Sequence, residues 1–181
     1  MMHFFTLFLS SLLMCSTVFA GSVTSVSLGE LSSVLNERML LMPDVAGYKA
    51  LHHLPVEDLP REKIVIDAMT KNAHDAGLAS DTVVPFVNAL MNAGKAIQYR
   101  CLADWLATPQ ASAPVTDLAN TRQKIQQTDT RIMMAISQRL MVGSFSEAEM
   151  AWLESQMTAP GLSAADKKNL LVALSHIQRA H

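Results

Sequence analysis

The stretch from Val34 to Glu62, VLNERMLLMPDVAGYKALHHLPVEDLPRE, carries the pattern that decides the fold class and the position of a candidate site. Arg38 and Lys49 are eleven positions apart, which at about 100° per residue lies within about 20° of three full helical turns. One helix therefore presents both cations on the same face, and that face is otherwise apolar. Because burial of a cation is unfavourable without an anionic partner, we expect anionic groups to meet both side chains.

A second charged group follows after a short bend. Asp58 is three residues before Arg61 and four before Glu62, and these spacings place side chains on neighbouring sites of one helix surface. Taken alone, Asp58 and Arg61 would form an ordinary helical ion pair, and Arg38 or Lys49 would be a surface charge. Taken together, the pattern predicts that three cations and two carboxylates converge.

The order and spacing of these residues resemble those of the all-helical chorismate mutases. They are most similar to the secreted, periplasmic subclass, which is the gamma subclass of the AroQ type. The resemblance continues through NAGKAIQY at 92–99, Asp104-Trp105 and DLANTR at 117–122, so it covers most of the chain after residue 20. No single segment is specific, but the ordered set with its spacings is.

The resemblance implies conversion of chorismate to prephenate, an intramolecular Claisen rearrangement. This reaction needs no nucleophile, metal or cofactor. Chorismate carries two carboxylates, and negative charge grows on its ether oxygen as the carbon–oxygen bond breaks. Arginine matches a carboxylate with a rigid fork of donors, and preorganised donors directed at developing charge usually make the largest catalytic contribution.

The resemblance also implies a role for each matching residue. The arginines would bind the two carboxylates, the lysine would contact the ether oxygen and a carboxylate, and the glutamine would donate to the ether oxygen. The acidic residues would hold the ring hydroxyl and orient the cations. Lys49 and Gln98 would thus be catalytic, no metal ligand is expected, and the substrate-binding set consists of Arg38, Lys49, Asp58, Arg61, Glu62, Gln98 and Arg122.

Gly94 departs from the family pattern, because relatives often carry a hydroxyl residue at this position. It lies one turn before Gln98 on the same helix face. A glycine inside a helix costs about 1 kcal/mol relative to alanine. We therefore expect either close packing at Gly94 or the loss of one substrate contact.

Residues 1–20 have the pattern of a cleavable signal peptide. The apolar run from Phe4 to Met14 is shorter than the roughly 20 residues that cross a bilayer, and Val18-Phe19-Ala20 fits a small-residue cleavage site. The first three residues contain no Lys or Arg, so a buried N-terminal helix is the alternative. We expect a periplasmic protein that, after cleavage, forms one soluble domain over residues 21–181 without membrane contact.

The composition favours an all-α fold. Twelve methionines, few aromatic residues and the lack of a strand-like alternation indicate a helical bundle. The net charge of −2 and the scattered basic residues argue against a nucleic-acid partner. Only Cys101 remains after cleavage, so no intramolecular disulfide is expected. His52 and His53 are adjacent and point to different sides, which favours a solvated pair over a metal site.

We predict about six helices, with those that bear the site between residues 28 and 140. The first runs from about Leu28 to His53 and should kink or break locally between Leu40 and Pro43, where the resemblance favours a helix that continues. The second begins at 58–60, ends near Gly77 and has a buried side marked by Ile64, Val65, Ala68, Met69 and Ala76.

The third predicted helix starts at Ser80 or Asp81, and a loop at 108–116 separates it from a fourth that starts at Thr116 or Asp117. Two shorter helices follow within 146–180. Each of them begins with a capping-box pattern, Ser146 with Glu149 and Ser163 with Asp166.

Two other functions are compatible with the charged pattern. An isochorismate pyruvate lyase on the same fold would use the same cationic cage, and a non-catalytic periplasmic binding protein would use the charges to dock a partner. The family suggests a homodimer. Since all five proposed cationic and amide donors come from one sequence, we expect each active site to lie within one chain.

Overall fold

The computed structural model describes residues 18–108 and 117–180, and it describes side chains from residue 26 onward. No strand occurs within these ranges, and the predicted all-α class is confirmed. The predicted signal peptide lies mostly outside the described residues. The seven helices of the described ranges are α1 (Val18–Leu40), α2 (Met42–Leu51), α3 (Leu59–Asp75), α4 (Ser80–Ala107), α5 (Leu118–Leu140), α6 (Glu147–Gln156) and α7 (Ala164–Ser175).

The first predicted helix is divided in two at Leu41, close to Pro43. Leu41 keeps right-handed helical dihedral angles (φ −82°, ψ −12°), and its carbonyl accepts a hydrogen bond from Val45 N at 3.3 Å. Pro43 lies in the first turn of α2, where its missing N–H removes no helical hydrogen bond. The expected interruption is therefore present, and the chain continues to turn in the helical sense through it.

The helices pack around a core of aliphatic side chains. α1 lies along α5, α4 contacts α2, α3 and α7, and α6 contacts α1 and α7. Fully buried residues of α1 and α5 belong to this core, namely Leu31, Leu35, Met39, Ile132, Met133 and Ile136. This packing brings the end of α1, α2 and parts of α3, α4 and α5 around one interior space.

Three predicted helix starts are confirmed by their capping hydrogen bonds. Asp58 Oδ1 accepts from Arg61 N at 3.1 Å at the start of α3. Capping boxes centred on Ser146 and Ser163 open α6 and α7, and such caps typically contribute about 1 kcal/mol each. After α3, Gly77 adopts φ +75°, the left-handed conformation that glycine accepts without strain.

Two predicted core positions of the second predicted helix are wrong. Ile64 is 52% exposed, Ala68 is exposed as well, and the buried side of α3 is formed by Met69 and Ala73. Ile64 and Val65 are consecutive, so their side chains differ by about 100° around the helix and only one can point inward. Most of the predicted loop at 108–116 lies outside the described residues. In the part of the chain that the structure describes, no helix is long and apolar enough to cross a membrane.

Candidate active site

All seven site residues predicted from the sequence line one cavity between α1, α2, α3, α4 and α5. The space between atoms is about 590 Å³, counted out to the open mouth, which is within the usual range for small-molecule sites. The break at Leu41 does not separate Arg38 from Lys49. The other lining residues are one lysine and six apolar side chains: Met42, Val45, Val56, Val65, Met91, Lys95 and Ile125.

The polar lining falls into two groups with different access to solvent. The floor consists of Arg38, Lys49 and Gln98, which are only 3%, 6% and 6% exposed. The rim consists of residues that are partly exposed, namely Asp58, Arg61, Glu62, Lys95 and Arg122. Electrostatic interactions are therefore less screened at the floor than at the rim.

At the floor, Arg38 is held by a carboxylate that the sequence analysis did not assign to the site. Arg38 Nε donates to Asp129 Oδ1 at 2.6 Å, and both side chains are almost completely buried. Arg38 Nη1 is also buried, yet it has no hydrogen-bond partner among the described residues. A buried donor left without a partner is unfavourable, and a carboxylate in the cavity would satisfy it.

Lys49 enters the cavity from α2, and its Nζ donates to the carbonyl of Val56 at 2.5 Å. The segment that supplies this carbonyl is itself tied to α4, because Tyr99 Oη donates to Glu57. Burial lowers the pKa of the Lys49 ammonium, and Arg122 lowers it further, while nearby carboxylates, led by Asp58, oppose the shift. Lys49 is thus a fixed cation in a partly desolvated position.

Gln98 extends from α4 beside Met42. Its Nε2 donates to the carbonyl of Gly94 at 3.3 Å and lies 3.8 Å from Met42 Sδ, which is a weak acceptor. Its Oε1 is buried and has no hydrogen-bond partner among the described residues. One of the two amide N–H groups therefore meets only a thioether, which a stronger acceptor could replace.

Close packing accounts for the glycine at position 94. A Cβ atom there would lie 2.8 Å from Met42 Sδ and 3.6 Å from Arg38 Nη1. The first separation is shorter than an ordinary van der Waals contact, so any larger residue requires the Met42 side chain to move. Of the two alternatives raised by the sequence, the packing explanation is the one that these distances support.

At the rim, Asp58 joins the start of α3 to α5. Its Oδ1 caps α3, and its Oδ2 accepts from Arg122 Nη2 at 3.2 Å. Arg61 lies in the first turn of α3, where burial lowers its pKa, with a further contribution from the positive charge of Arg122. Asp58 and Asp129 oppose this shift. The two arginines therefore share Asp58 as an anionic neighbour.

A second rim pair links α3 to α4. Lys95 Nζ donates to Glu62 Oε2 at 3.0 Å, and both side chains are 21% exposed. The other carboxylate oxygen, Oε1, accepts a long hydrogen bond of 3.4 Å from Asp58 N. Glu62 is thereby oriented between the start of α3 and the lysine on α4.

Sequence reasoning missed two charged residues, and helical spacing could have found both. Asp129 is seven residues after Arg122 in α5, so two turns of helix place them near the same face. Lys95 is four residues after Met91 and three before Gln98, and all three side chains line the cavity. Asp129 lies outside the family pattern quoted above, and Lys95 lies within its segment 92–99 but was assigned no role, so periodicity is the signal that points to both as site residues.

Comparison with known proteins identifies the family. Residues 29–99 match the chorismate mutase type II family. The chain is also 62% identical to a monofunctional chorismate mutase of Enterobacter agglomerans, in an alignment that covers 100% of both sequences. The chain belongs to the chorismate mutase type II family. The secreted chorismate mutase of Yersinia pestis is 31% identical over 94% of this chain and 92% of that protein.

Solved structures agree with this assignment. The crystal structure of the secreted chorismate mutase from Yersinia pestis has a TM-score of 0.77 and 33% identity, and the match covers 83% of this chain and 98% of that one. The chorismate mutase from Burkholderia thailandensis, at 21% identity and a TM-score of 0.62, has the same fold. The family predicted from the sequence, an all-helical chorismate mutase like the secreted ones, is confirmed.

Proposed function

We propose that this chorismate mutase, an isomerase, converts chorismate to prephenate in the cavity that α1, α2, α3, α4 and α5 surround. Charge balance is the main support. Five cations line the cavity, against two lining carboxylates and the carboxylate of Asp129 behind Arg38. Two positive charges are left over, which matches a substrate with two carboxylates.

The floor supplies the contacts that we assign to catalysis. Arg38 offers its unpartnered Nη1 to one carboxylate, and Lys49 contacts a carboxylate and the ether oxygen. Because water has little access here, these charges act on the developing negative charge with little screening. Removing one preorganised donor of this kind typically costs about 3 to 4 kcal/mol of transition-state stabilisation.

Gln98 is the second donor to the ether oxygen in this proposal. Its Nε2 carries two N–H groups, of which one is bonded to the Gly94 carbonyl and the other faces only Met42 Sδ. An ether oxygen that gains negative charge is a better acceptor than a thioether. The contact would therefore strengthen as the carbon–oxygen bond breaks, which is what a catalytic contact requires.

The rim residues would bind the remaining polar groups of the substrate. Arg61 and Arg122 would hold carboxylates, while Asp58 and Glu62 would accept from the ring hydroxyl and orient the cations. Both acidic residues already bind cations of the cavity or cap α3. Substrate binding would then rearrange existing charged contacts at the rim.

A product assay tests the reaction. The purified protein is mixed with chorismate, the fall in chorismate absorbance is followed, and the product is identified by mass spectrometry and NMR. We expect prephenate. A parallel assay supplies isochorismate, and release of pyruvate there without prephenate formation from chorismate would support the lyase alternative. Binding of chorismate without turnover would support a binding protein.

We also propose that the chain is periplasmic after removal of residues 1–20, and that residues 21–181 form a single domain. The secreted relative of Yersinia pestis and the signal-like sequence of residues 1–20 support this location. Expression in a Gram-negative host should yield periplasmic protein that begins at Gly21. N-terminal sequencing that finds Met1 would contradict it.

For assembly, we propose a homodimer in which each chain carries a complete site and contacts no nucleic acid. All seven predicted site residues line one cavity of a single chain, which supports a complete site in each chain. Sedimentation measures the number of chains. Mixing inactive Arg38→Ala and Arg122→Ala chains should not restore activity, because rescue requires a site shared between two chains.

A further inference from the structure

Asp129 is a buried carboxylate that the proposed mechanism does not use directly. It does not line the catalytic cavity, and it borders a groove on the other side, between α3 and α5, together with Arg61 and Gln126. Among the described residues, its side chain accepts a hydrogen bond from Arg38 Nε, at 2.6 Å. Asp129 thus lies behind the arginine, opposite to the place where the substrate would bind.

The geometry of this pair leaves most of the guanidinium available. An arginine has five N–H donors on a planar fork, and Asp129 engages only the one on Nε. Nη1 stays buried without a partner among the described residues and lies near Gly94 of α4, while the Arg38 side chain lines the cavity. The carboxylate therefore fixes the side chain from the rear and leaves the outer edge of the fork free.

A second buried arginine shows what a purely structural pair looks like in this protein. Arg139 donates through Nε and Nη2 to Glu149, and through Nη1 and Nη2 to the carbonyls of Gly143 and Ser144. Every nitrogen of Arg139 is thus bonded to protein. Arg38 is as deeply buried as Arg139, so the difference lies in the donors that Arg38 keeps unpaired.

The elements that carry the pair explain why a rear anchor matters. Arg38 lies close to the end of α1, next to the interruption at Leu41, where the helix alone constrains the side chain less. Asp129 lies in the middle of α5, the helix on which α1 packs most extensively. The hydrogen bond thereby fixes the Arg38 side chain relative to α5.

We propose that Asp129 is a positioning residue that orients Arg38 for a substrate carboxylate and neutralises it when the cavity is empty. This inference rests on the proposed function, because it assigns Arg38 to substrate binding. Asp129 itself touches no substrate atom. It acts on the Michaelis complex and on the transition state alike, so its loss raises KM more than it lowers kcat.

Steady-state kinetics of the full chain test this role with two substitutions. Asp129→Asn keeps an acceptor oxygen but loses the charge, so we expect KM for chorismate to rise roughly three- to tenfold. Asp129→Leu removes the acceptor as well, and KM should rise at least about tenfold with kcat within about threefold of the unaltered enzyme. If Asp129→Leu does not fold, the nearly isosteric Asn variant still gives the answer.

A double-mutant cycle separates positioning from stability. In an Arg38→Met background, Asp129→Asn should change KM by less than about twofold, because a residue that acts through Arg38 has nothing left to orient. Glu149→Gln is the matched control, since it removes a buried ion pair far from the cavity. It should lower Tm and leave KM unchanged.

Two outcomes would overturn the inference. One is an unchanged KM in both Asp129 variants together with a lower Tm, which would make Asp129 a structural partner like Glu149. The other is an equal rise in KM with and without Arg38. If Arg38→Met itself leaves KM and kcat unchanged in a folded protein, the proposed function of the cavity fails first, and the two failures can thus be told apart.

Discussion

The floor and the rim of the cavity hold similar charged groups but differ in solvent access. At the floor, Arg38 and Asp129 form an ion pair whose side chains are 4% and 5% exposed, whereas the side chains of the Arg122–Asp58 pair at the rim are 33% and 35% exposed. A charge in the first environment is fixed and weakly screened, and a charge in the second is hydrated and easily rearranged. The floor is therefore suited to stabilising a transition state, and the rim to capturing the substrate.

The two regions also differ in whether their polar side-chain atoms have hydrogen-bond partners. Two side-chain atoms of the described cavity lining are buried without a hydrogen-bond partner. They are Arg38 Nη1 and Gln98 Oε1, and both belong to the floor. At the rim, carboxylates cap α3 or pair with Arg122 and Lys95. If this difference is functional, substitution of the floor donors to the ether oxygen, Lys49 and Gln98, should change kcat, and substitutions at the rim should change KM.

The largest effect is expected for Lys49→Ala at the floor. The change removes the ammonium that we assign to the ether oxygen, and kcat/KM should fall about a hundredfold or more, mainly through kcat. Stopped-flow or steady-state assays with chorismate measure this, and circular dichroism checks helicity. Lys71→Ala on the exposed side of α3 is the control. A folded Lys49→Ala enzyme with an unchanged rate would remove the floor from the mechanism.

The next effect is a change in pH dependence for Gln98→Glu. A glutamate can donate to the ether oxygen only when protonated, so activity of the variant relative to the unaltered enzyme should fall as pH rises and the carboxyl ionises. Burial would raise its pKa, and the neighbouring cations would lower it. Profiles of kcat against pH from about 5 to 7 suffice, because arginine and lysine side chains ordinarily stay charged there.

A flat profile at full activity in the Gln98→Glu enzyme would show that residue 98 does not donate to the ether oxygen. Gln98, the residue that α4 contributes to the floor, would then have to be removed from the catalytic set. Gln98→Leu serves as the control for simple loss of the amide. It should be slow at every pH, since it carries no titrating donor.

A smaller effect is expected at the rim for Lys95→Met. Loss of this cation releases Glu62 and reduces the positive charge of the cavity, so KM should rise about three- to tenfold while kcat stays within about twofold. Added salt should weaken substrate capture less in this variant than in the unaltered enzyme. Lys63→Met, which removes an exposed lysine paired with Asp67 on the outer side of α3, is the matched control. A large fall in kcat would place Lys95 with the floor.

The smallest effect on activity is expected outside the cavity, for Glu149→Gln. Bonding to Arg139 lowers the pKa of Glu149 to about 2 from an ordinary value of 4.5. A depressed carboxyl pKa stabilises the fold above about pH 4.5, and this contribution is lost as pH falls towards 2. Urea unfolding should show a loss of about 1 to 3 kcal/mol at pH 7 that shrinks at pH 3, with unchanged kinetics.

Much of this arrangement could be predicted from residue order alone. Helical periodicity predicted that Arg38 and Lys49 share a face, and both line one cavity. The caps at Asp58, Ser146 and Ser163 were predictable because each depends on residues within one turn. The buried side of α3 was not predictable in this way. Ile64 was placed on it wrongly, because two adjacent apolar residues do not show which of them points inward.

Other features depend on packing between distant segments. The sequence by itself determined the helical class through local spacing and residue type, and it determined the seven candidate residues through the ordered pattern that resembles the family. Only the tertiary structure decided that Asp129 stands behind Arg38, ninety-one residues away, and that Met42 fills the space beside Gly94. The physical reason is that periodicity fixes which face a side chain occupies, whereas its partner depends on how whole helices pack together.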